Sequence, residues 1–413
     1  MKHVIVGNGP AGVVAAEALR KLDPASEIAL VGDEPEPPYS RMALPYLMMG
    51  HIAESGTYLR KAPDHYRRHR IDLVRDRVEA VDPGARRLRL ASGGTLEFDR
   101  MLVATGVRPV RPPIPGLELP GVHFCWSLGD VRSLLADAKP GARVLQLGAG
   151  FIGCIIMEAL VMRGLALTIV EMGDRMVPRM MTPIAGGMIR DWCEEKGVRV
   201  LLGERIASIR REGALVAELA SGGRVEADVV IVSAGVRANT EFLQGSGVEC
   251  AAGVLVDEAM QSSVPGIYAA GDVAEAFNQA TGEHAINAVQ PAAVDQARIA
   301  AANMAGRRVT TRPELTLNVL DTMGLISASF GRWWGVPGGR GVELVDRPAY
   351  RYLSLQLDGD RLVGATSIGL TEHIGVLRGL IEGRIALGPW AERLLAEPLR
   401  FPEAYLARAQ GAA

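Results

Sequence analysis

The chain has 413 residues, 48% of them hydrophobic and 22% charged, enough apolar side chain for two or three cores of ordinary domain size. A formal net charge of −2 offers no electrostatic footprint for nucleic acid or an anionic membrane, and no apolar run reaches the ~20 residues that cross a bilayer. The apolar run Val4 to Val6 follows Met1 almost at once and leads into glycines, so a cytoplasmic protein without a secretory leader is expected.

The first element is an apolar strand, Lys2 to Val6, followed by Gly7-Asn8-Gly9-Pro10-Ala11-Gly12 and an Ala-rich helix from Val13 to Leu22. Gly7 permits the tight turn, Gly9 lets the backbone approach a pyrophosphate, and Gly12 lets the helix pack closely on the strand. The helix N-terminus then faces the phosphates. The next strand, Glu27 to Val31, ends at Asp33 and Glu34. An acid about 20 residues past the last glycine is placed to accept hydrogen bonds from ribose hydroxyls.

An apolar strand within Asp99 to Gly106 and a Pro-rich linker from Pro109 to Pro120 follow. The opening pattern then recurs: a strand from Val144 to Leu147, the turn Gly148-Ala149-Gly150-Phe151-Ile152-Gly153, a helix from about Cys154 to Arg163, and a strand from Leu167 to Val170 that ends in Glu171. The Glu171 carboxylate would repel the 2′-phosphate of NADP, so NADH is expected over NADPH. A strand from Asp228 to Gly235 closes this module, and Val264 to Ala270 leads to Gly271 and Asp272. The expected fold is α/β: two Rossmann-like dinucleotide-binding domains, the second inserted in the first, plus a C-terminal α+β domain. The boundaries fall at 1–112 with 248–309, at 113–247 and at 310–413. In the last domain Thr316 to Phe330 and Tyr350 to Gly369 contain strands, and the tail from Pro389 reads as helical.

The four cysteines, Cys125, Cys154, Cys193 and Cys250, lack Cys-x-x-Cys spacing and are expected as small buried hydrophobes. The seven histidines show no metal-ligand spacing, so no metal site is expected.

Four motifs, Gly7-x-Gly9-x-x-Gly12, Ala104-Thr105-Gly106, Gly148-x-Gly150-x-x-Gly153 and Tyr268-Ala269-Ala270-Gly271-Asp272, stand in the order and spacing of a known family. They resemble the flavoproteins with two dinucleotide-binding domains, which include glutathione reductase, ferredoxin and rubredoxin reductases, apoptosis-inducing factor and the flavin part of nitrite reductase. The likeness covers about the first 310 residues. It implies FAD on Gly7, Gly9, Pro10, Ala11 and Gly12, with Asp33 and Glu34 near the adenosine ribose. Ala104, Thr105, Gly106 and Gly271 would lie beside the cofactor, and Asp272 would bond its ribityl chain. It implies NAD on Gly148, Gly150, Phe151, Ile152, Gly153, Glu171 and Gly235. The segment Glu34 to Arg41 looks like the ferredoxin reductase branch, in which the arginine clamps the FAD pyrophosphate, a task that suits a guanidinium fork.

The chain departs from its relatives in two ways. No cysteine precedes Cys125, and Met42 stands where a single-cysteine branch has its thiol, so neither dithiol nor sulfenate chemistry is expected. The ferredoxin reductases carry a lysine where Tyr46 stands and a glutamate where Ile155 stands, paired beside flavin and nicotinamide. Both are absent here, which implies a more apolar pocket with a phenol at its edge.

The resemblance therefore implies an FAD-dependent oxidoreductase that passes electrons from NADH to a redox protein such as a ferredoxin or rubredoxin. The alternatives are the flavin subunit of a multicomponent dehydrogenase acting on a small organic substrate, and a flavoprotein whose redox state controls a non-enzymatic association. The expected partner is an electron-acceptor protein or partner subunit, with a homodimer left open and no nucleic acid. The arginines between Arg67 and Arg89 read as a solvated face more readily than as a docking patch, Trp333-Trp334 as a packed hairpin, Glu158 as surface charge, and His284 as a residue near the flavin.

Overall fold

The computed structural model describes residues 1–278, 281–311 and 315–409, and its chain divides into two compact units: residues 1–108 with 236–314, and residues 109–235 with 315–413. In the first unit a five-stranded parallel sheet runs Ile267–Ala269, Arg100–Val103, Lys2–Val6, Glu27–Gly32, Ile71–Arg75. Lys2–Val6 is central and buried on both faces, which is why it reads as continuous rather than alternating hydrophobicity. The helices Pro10–Leu22 and Gln290–Met304 pack on each other, and their alanines Ala15, Ala16, Ala297, Ala300 and Ala301 are fully buried. Small side chains permit the close approach of the two backbones.

The second unit repeats the plan. Its parallel sheet runs Arg199–Leu202, Ala166–Glu171, Arg143–Leu147, Val229–Val232, Val122–His123. Beyond residue 315 the chain forms a five-stranded antiparallel sheet in the order Leu317–Thr322, Leu325–Gly331, Arg361–Ile368, Arg351–Asp358, Arg340–Asp346. One of its faces buries Phe330, Leu353, Leu355 and Ala365 against the helices Ile374–Glu382, Trp390–Ala396 and Phe401–Ala409. The strand Arg340–Asp346 and the helix Ile374–Glu382 were not anticipated from the sequence. The strand lies on the sheet edge, where its largely exposed side chains weaken the hydrophobic pattern that would announce it.

Both Rossmann helices begin three residues earlier than expected, at Pro10 and Phe151 rather than Val13 and Cys154. In each, the middle glycine, Gly9 or Gly150, is the N-cap in extended conformation, and Pro10 has the fixed φ that suits the first helical position. The last three residues of each turn thus already belong to the helix.

Candidate functional site

The C-terminal ends of three adjacent parallel strands converge in the first unit. They carry Gly7 to Gly12, Ala104 to Gly106, and Gly271 with Asp272. The glycines divide by what a side chain would meet. A Cβ on Gly7, which has φ +110°, would lie 2.1 Å from Ala104 O, and one on Gly12 would lie 1.9 Å from Gly7 O. These two are glycine because the backbone closes on itself there. A Cβ on Gly9 would meet nothing within 4 Å, so this glycine leaves a bare N-terminal turn facing open space.

Around that turn Ala104 N donates to Val6 O at 2.7 Å, and Thr105 and Asn239 are cross-linked: Thr105 Oγ1 donates to Asn239 O and Asn239 Nδ2 to Thr105 O, each at 2.8 Å. Gly106 has φ +60° and free space over its Cα. Gly271 N donates to the buried Oε1 of Gln296 at 2.8 Å, which ties the strand end to the helix behind it. Burial pushes the Asp272 carboxyl above its ordinary range, and the Arg41 guanidinium pulls it back. Arg41 Nη2 in turn lies 2.6 Å from Glu34 Oε1. Asp33 stands just beyond its strand, exposed, with a carboxylate oxygen 3.4 Å from Arg77 Nε. Tyr46 and Met42 are 54% and 52% exposed.

The second unit builds the same turn by different means. A Cβ on Gly148, φ +98°, would lie 2.3 Å from Ser233 O, and one on Gly153 would lie 2.5 Å from Gly148 O, whereas one on Gly150 would meet nothing. Glu171 is engaged with the turn itself: Oε2 accepts from Ala149 N and Oε1 from Gly173 N, both at 2.7 Å. Gln146, buried beneath the turn, donates through Nε2 to Gly148 O and Gly153 O at 3.0 Å. This residue was missed, although a lone amide inside Val144 to Leu147 was a signal. Arg175 follows Glu171 closely enough to suggest a phosphate ligand, yet it donates to Met181 O at 2.9 Å and to Asp174 Oδ1 at 2.7 Å. Gly235, φ +101°, closes the module with open space above it, and Ile155 is half-buried on the helix Phe151–Met162.

The remaining candidates make local contacts. His284 Nε2 donates to Val256 O at 3.2 Å, and its ring packs edge-on to Phe277. Glu158 is half-buried and partnered rather than a loose surface charge. Arg68, Arg77 and Arg89 pair with Asp64, Asp33 and Glu79, which dissipates much of the basic region. Trp333 is buried edge-on to Trp334, which is 54% exposed. No cysteine is in a disulfide among the described residues, and burial pushes the Cys125 and Cys193 thiols up to about 12 and holds Cys154 well above its usual value, so none of these three is a thiolate at neutral pH. Among the described residues no cluster suits a metal ion, and no helix is long and apolar enough to cross a membrane.

Two bare glycine turns, each at the end of a parallel sheet and each followed by an acid, define a protein with two dinucleotide-binding modules. The chain belongs to the pyridine nucleotide-disulphide oxidoreductase family, whose signature matches residues 1–292. It is 31% identical over 403 residues to the NADH-dependent phenylglyoxylate dehydrogenase subunit epsilon of Aromatoleum evansii, covering 96% of this chain and 95% of that one. It is 32% identical over 393 residues to the biphenyl dioxygenase system ferredoxin–NAD(+) reductase component of Paraburkholderia xenovorans, covering 94% and 95%. A crystal structure of a ferredoxin reductase from Rhodopseudomonas palustris superposes with TM-score 0.83 at 28% identity, covering 91% of this chain and 93% of that one.

Proposed function

We propose that the chain is an FAD-dependent oxidoreductase that takes electrons from NADH and passes them to a small redox protein such as a ferredoxin or rubredoxin. The observation that carries this reading is the pair of bare turns at Gly9 and Gly150, in a chain that matches a ferredoxin–NAD(+) reductase component along nearly its whole length. The bound dinucleotides supply the hydride and electron chemistry, and the protein supplies binding, orientation and electrostatics. The first turn, with Pro10, Ala11 and Gly12 in its opening helical positions, holds the FAD pyrophosphate together with Arg41. Asp33 and Glu34 hold its adenosine ribose, Ala104, Thr105, Gly106 and Gly271 line it, and Asp272 takes the ribityl hydroxyls. A half-buried carboxylate lifted by desolvation suits a hydroxyl-rich ligand, because each hydrogen bond it accepts favours its charged form.

In the second module Gly148, Gly150, Phe151, Ile152 and Gly153 hold the NADH pyrophosphate, with Glu171 at the adenosine ribose and Gly235 beside the chain. Residues 1–112 with 248–309 form the FAD domain, 113–247 the NAD domain, and 310–413 the domain that receives a partner. A cytoplasmic location follows from use of the cellular NADH pool. The test is turnover: purified protein should be yellow and reduce ferricyanide and a ferredoxin at the expense of NADH. A colourless chain that takes up no FAD would sink the reading.

A second reading has its own support. The likeness to a dehydrogenase subunit epsilon spans both chains almost completely, and Tyr46 and Ile155 replace the pair of the ferredoxin reductases. On that reading the chain is the NADH-handling subunit of a multicomponent dehydrogenase for a small organic acid. Rapid NADH oxidation by the isolated chain with ferredoxin favours the first reading. Activity that appears only after co-purification with other subunits favours the second.

A further inference from the structure

Residue 177 is the anomaly of the second module. Val177 is buried and has φ 49°, in the left-handed region that a β-branched side chain rarely enters. Such a conformation persists only where the surroundings over-determine it. Its N–H donates to Ala149 O at 2.9 Å, and its carbonyl accepts from Met180 N at 3.0 Å and Met181 N at 3.1 Å. Ala149 is the middle residue of the second glycine turn, and its own N–H already goes to Glu171 Oε2 at 2.7 Å. Both polar backbone atoms of Ala149 are therefore held from outside the turn, the N–H by the acid and the carbonyl by Val177 N–H at 2.9 Å and more weakly by the Cys154 thiol at 3.6 Å. In the first module the Asn8 side chain lies against Gly32, and a Cβ on Gly32 would come within 2.3 Å of Asn8 Nδ2.

A trans peptide sets its C=O and N–H on opposite sides. Holding Ala149 O therefore fixes the direction of the Gly150 N–H, the donor at the bare position of the turn. A right-handed or extended residue at 177 would send the 172–182 segment elsewhere and leave that carbonyl with only the weak Cys154 thiol donor at 3.6 Å. The same segment is packed tightly against the helix that follows it, where a Cβ on Gly186 would lie 2.6 Å from Met176 O.

We propose that Val177 is a positioning residue for the nicotinamide dinucleotide, its left-handed backbone folding residues 172–182 onto the glycine turn and aiming the Gly150 N–H. The proposal rests on the reading that this turn binds NADH. It separates backbone conformation from side-chain packing, because glycine adopts φ near +50° freely, alanine does so under strain, and proline cannot adopt it and lacks the N–H.

The experiment titrates NAD⁺ and ADP-ribose calorimetrically into the FAD-loaded parent and the Val177→Gly, Val177→Ala and Val177→Pro variants. Melting temperature, flavin content, and KM and kcat for NADH with ferricyanide are recorded beside the titrations. Val177→Pro should weaken both ligands by about tenfold or more and raise KM in proportion, with kcat within about twofold and flavin content unchanged. Val177→Gly should bind within about threefold of the parent and melt no lower than Val177→Ala, although it buries less side chain. A residue that merely fills the core gives the reverse order, with alanine the more stable. Parent-like binding by Val177→Pro, or a lower melting temperature for glycine than for alanine, overturns the proposal while leaving the NADH reading intact. Failure of the parent itself to bind either ligand overturns both.

Discussion

Glu34 and Arg41 are bonded to each other: Arg41 Nη2 lies 2.6 Å from Glu34 Oε1, and the Tyr39 hydroxyl donates to Glu34 Oε2 at 2.5 Å. The two residues expected to hold different parts of FAD form one unit, with Asp272 within electrostatic reach of the arginine. Arg41→Ala removes the partner of both carboxylates and should lower FAD retention by an order of magnitude or more, since a charged hydrogen bond is worth roughly 1.5–3 kcal/mol. Asp272→Ala should also release FAD, whereas Glu34→Gln, which keeps an acceptor for Tyr39, should retain most of it. Flavin absorbance relative to protein after gel filtration measures this. Full retention by Arg41→Ala would remove Arg41 from the cofactor set.

Glu171 holds the glycine turn and, on the proposed function, also selects the nucleotide, and one substitution probes both. Its carboxylate secures Ala149 N and Gly173 N, so Glu171→Arg should reduce efficiency with NADH about tenfold or more even as it lessens discrimination against NADPH. Arg175 will not compensate, because its guanidinium is spent on Met181 O and Asp174. The ratio of kcat/KM values for the two nucleotides decides the matter. A parent enzyme that prefers NADPH contradicts the placement.

Thiol reagents should be nearly without effect. Cys250 is the exposed cysteine and should label first, while Cys154 and Cys193 are buried and held as thiols. Mass spectrometry after iodoacetamide treatment of the folded protein should show Cys250 modified and flavin reduction by NADH preserved. Stoichiometric loss of activity with one label would restore a thiol mechanism.

His3 makes stability fall in mild acid. It is buried in the central strand Lys2–Val6 with Nε2 3.5 Å from Asp23 Oδ2, and burial outweighs that attraction to hold its pKa below the usual 6.5. The unfolded chain then takes up the proton before the folded one. Stability from this group is complete above about pH 6.5 and is lost as pH falls from there through the depressed folded value. Denaturant midpoints between pH 8 and 5 should decline in the parent and decline less in His3→Gln. Equal slopes would show that His3 contributes nothing.

The resemblance implies that Tyr46 and Ile155 stand where the ferredoxin reductases have a lysine and a glutamate paired beside the nicotinamide. Without that pair the ring should be held less firmly, and a misplacement of about 1 Å costs on the order of a hundredfold in rate. Stopped-flow reduction by NADH should therefore be slow in the parent and faster in the Tyr46→Lys, Ile155→Glu double variant. A fast parent and a slower variant would mean that the pocket works by other contacts.

The glycine turns, their terminal acids and the missing redox cysteines were legible in the sequence because each depends on residues near one another in the chain. Gly12 and Gly153 are fixed by collisions within their own strand–turn–helix units, whereas Gly7 and Gly148 are closed by the distant carbonyls of Ala104 and Ser233. The chain beyond residue 315 was legible only as strands followed by helix, since an exposed edge strand such as Arg340–Asp346 carries little periodic signal. What the tertiary structure alone decided is how the acids and bases are spent. Glu34 is bound to Arg41, Glu171 to Ala149, and Gln146 to both ends of its turn. No pattern in the sequence requires Val177 to be left-handed either. That conformation comes with a bond that only folding creates: with the chain at 177 turned the unfavourable way, the buried Val177 N–H finds a partner in Ala149 O, which also accepts from the Cys154 thiol.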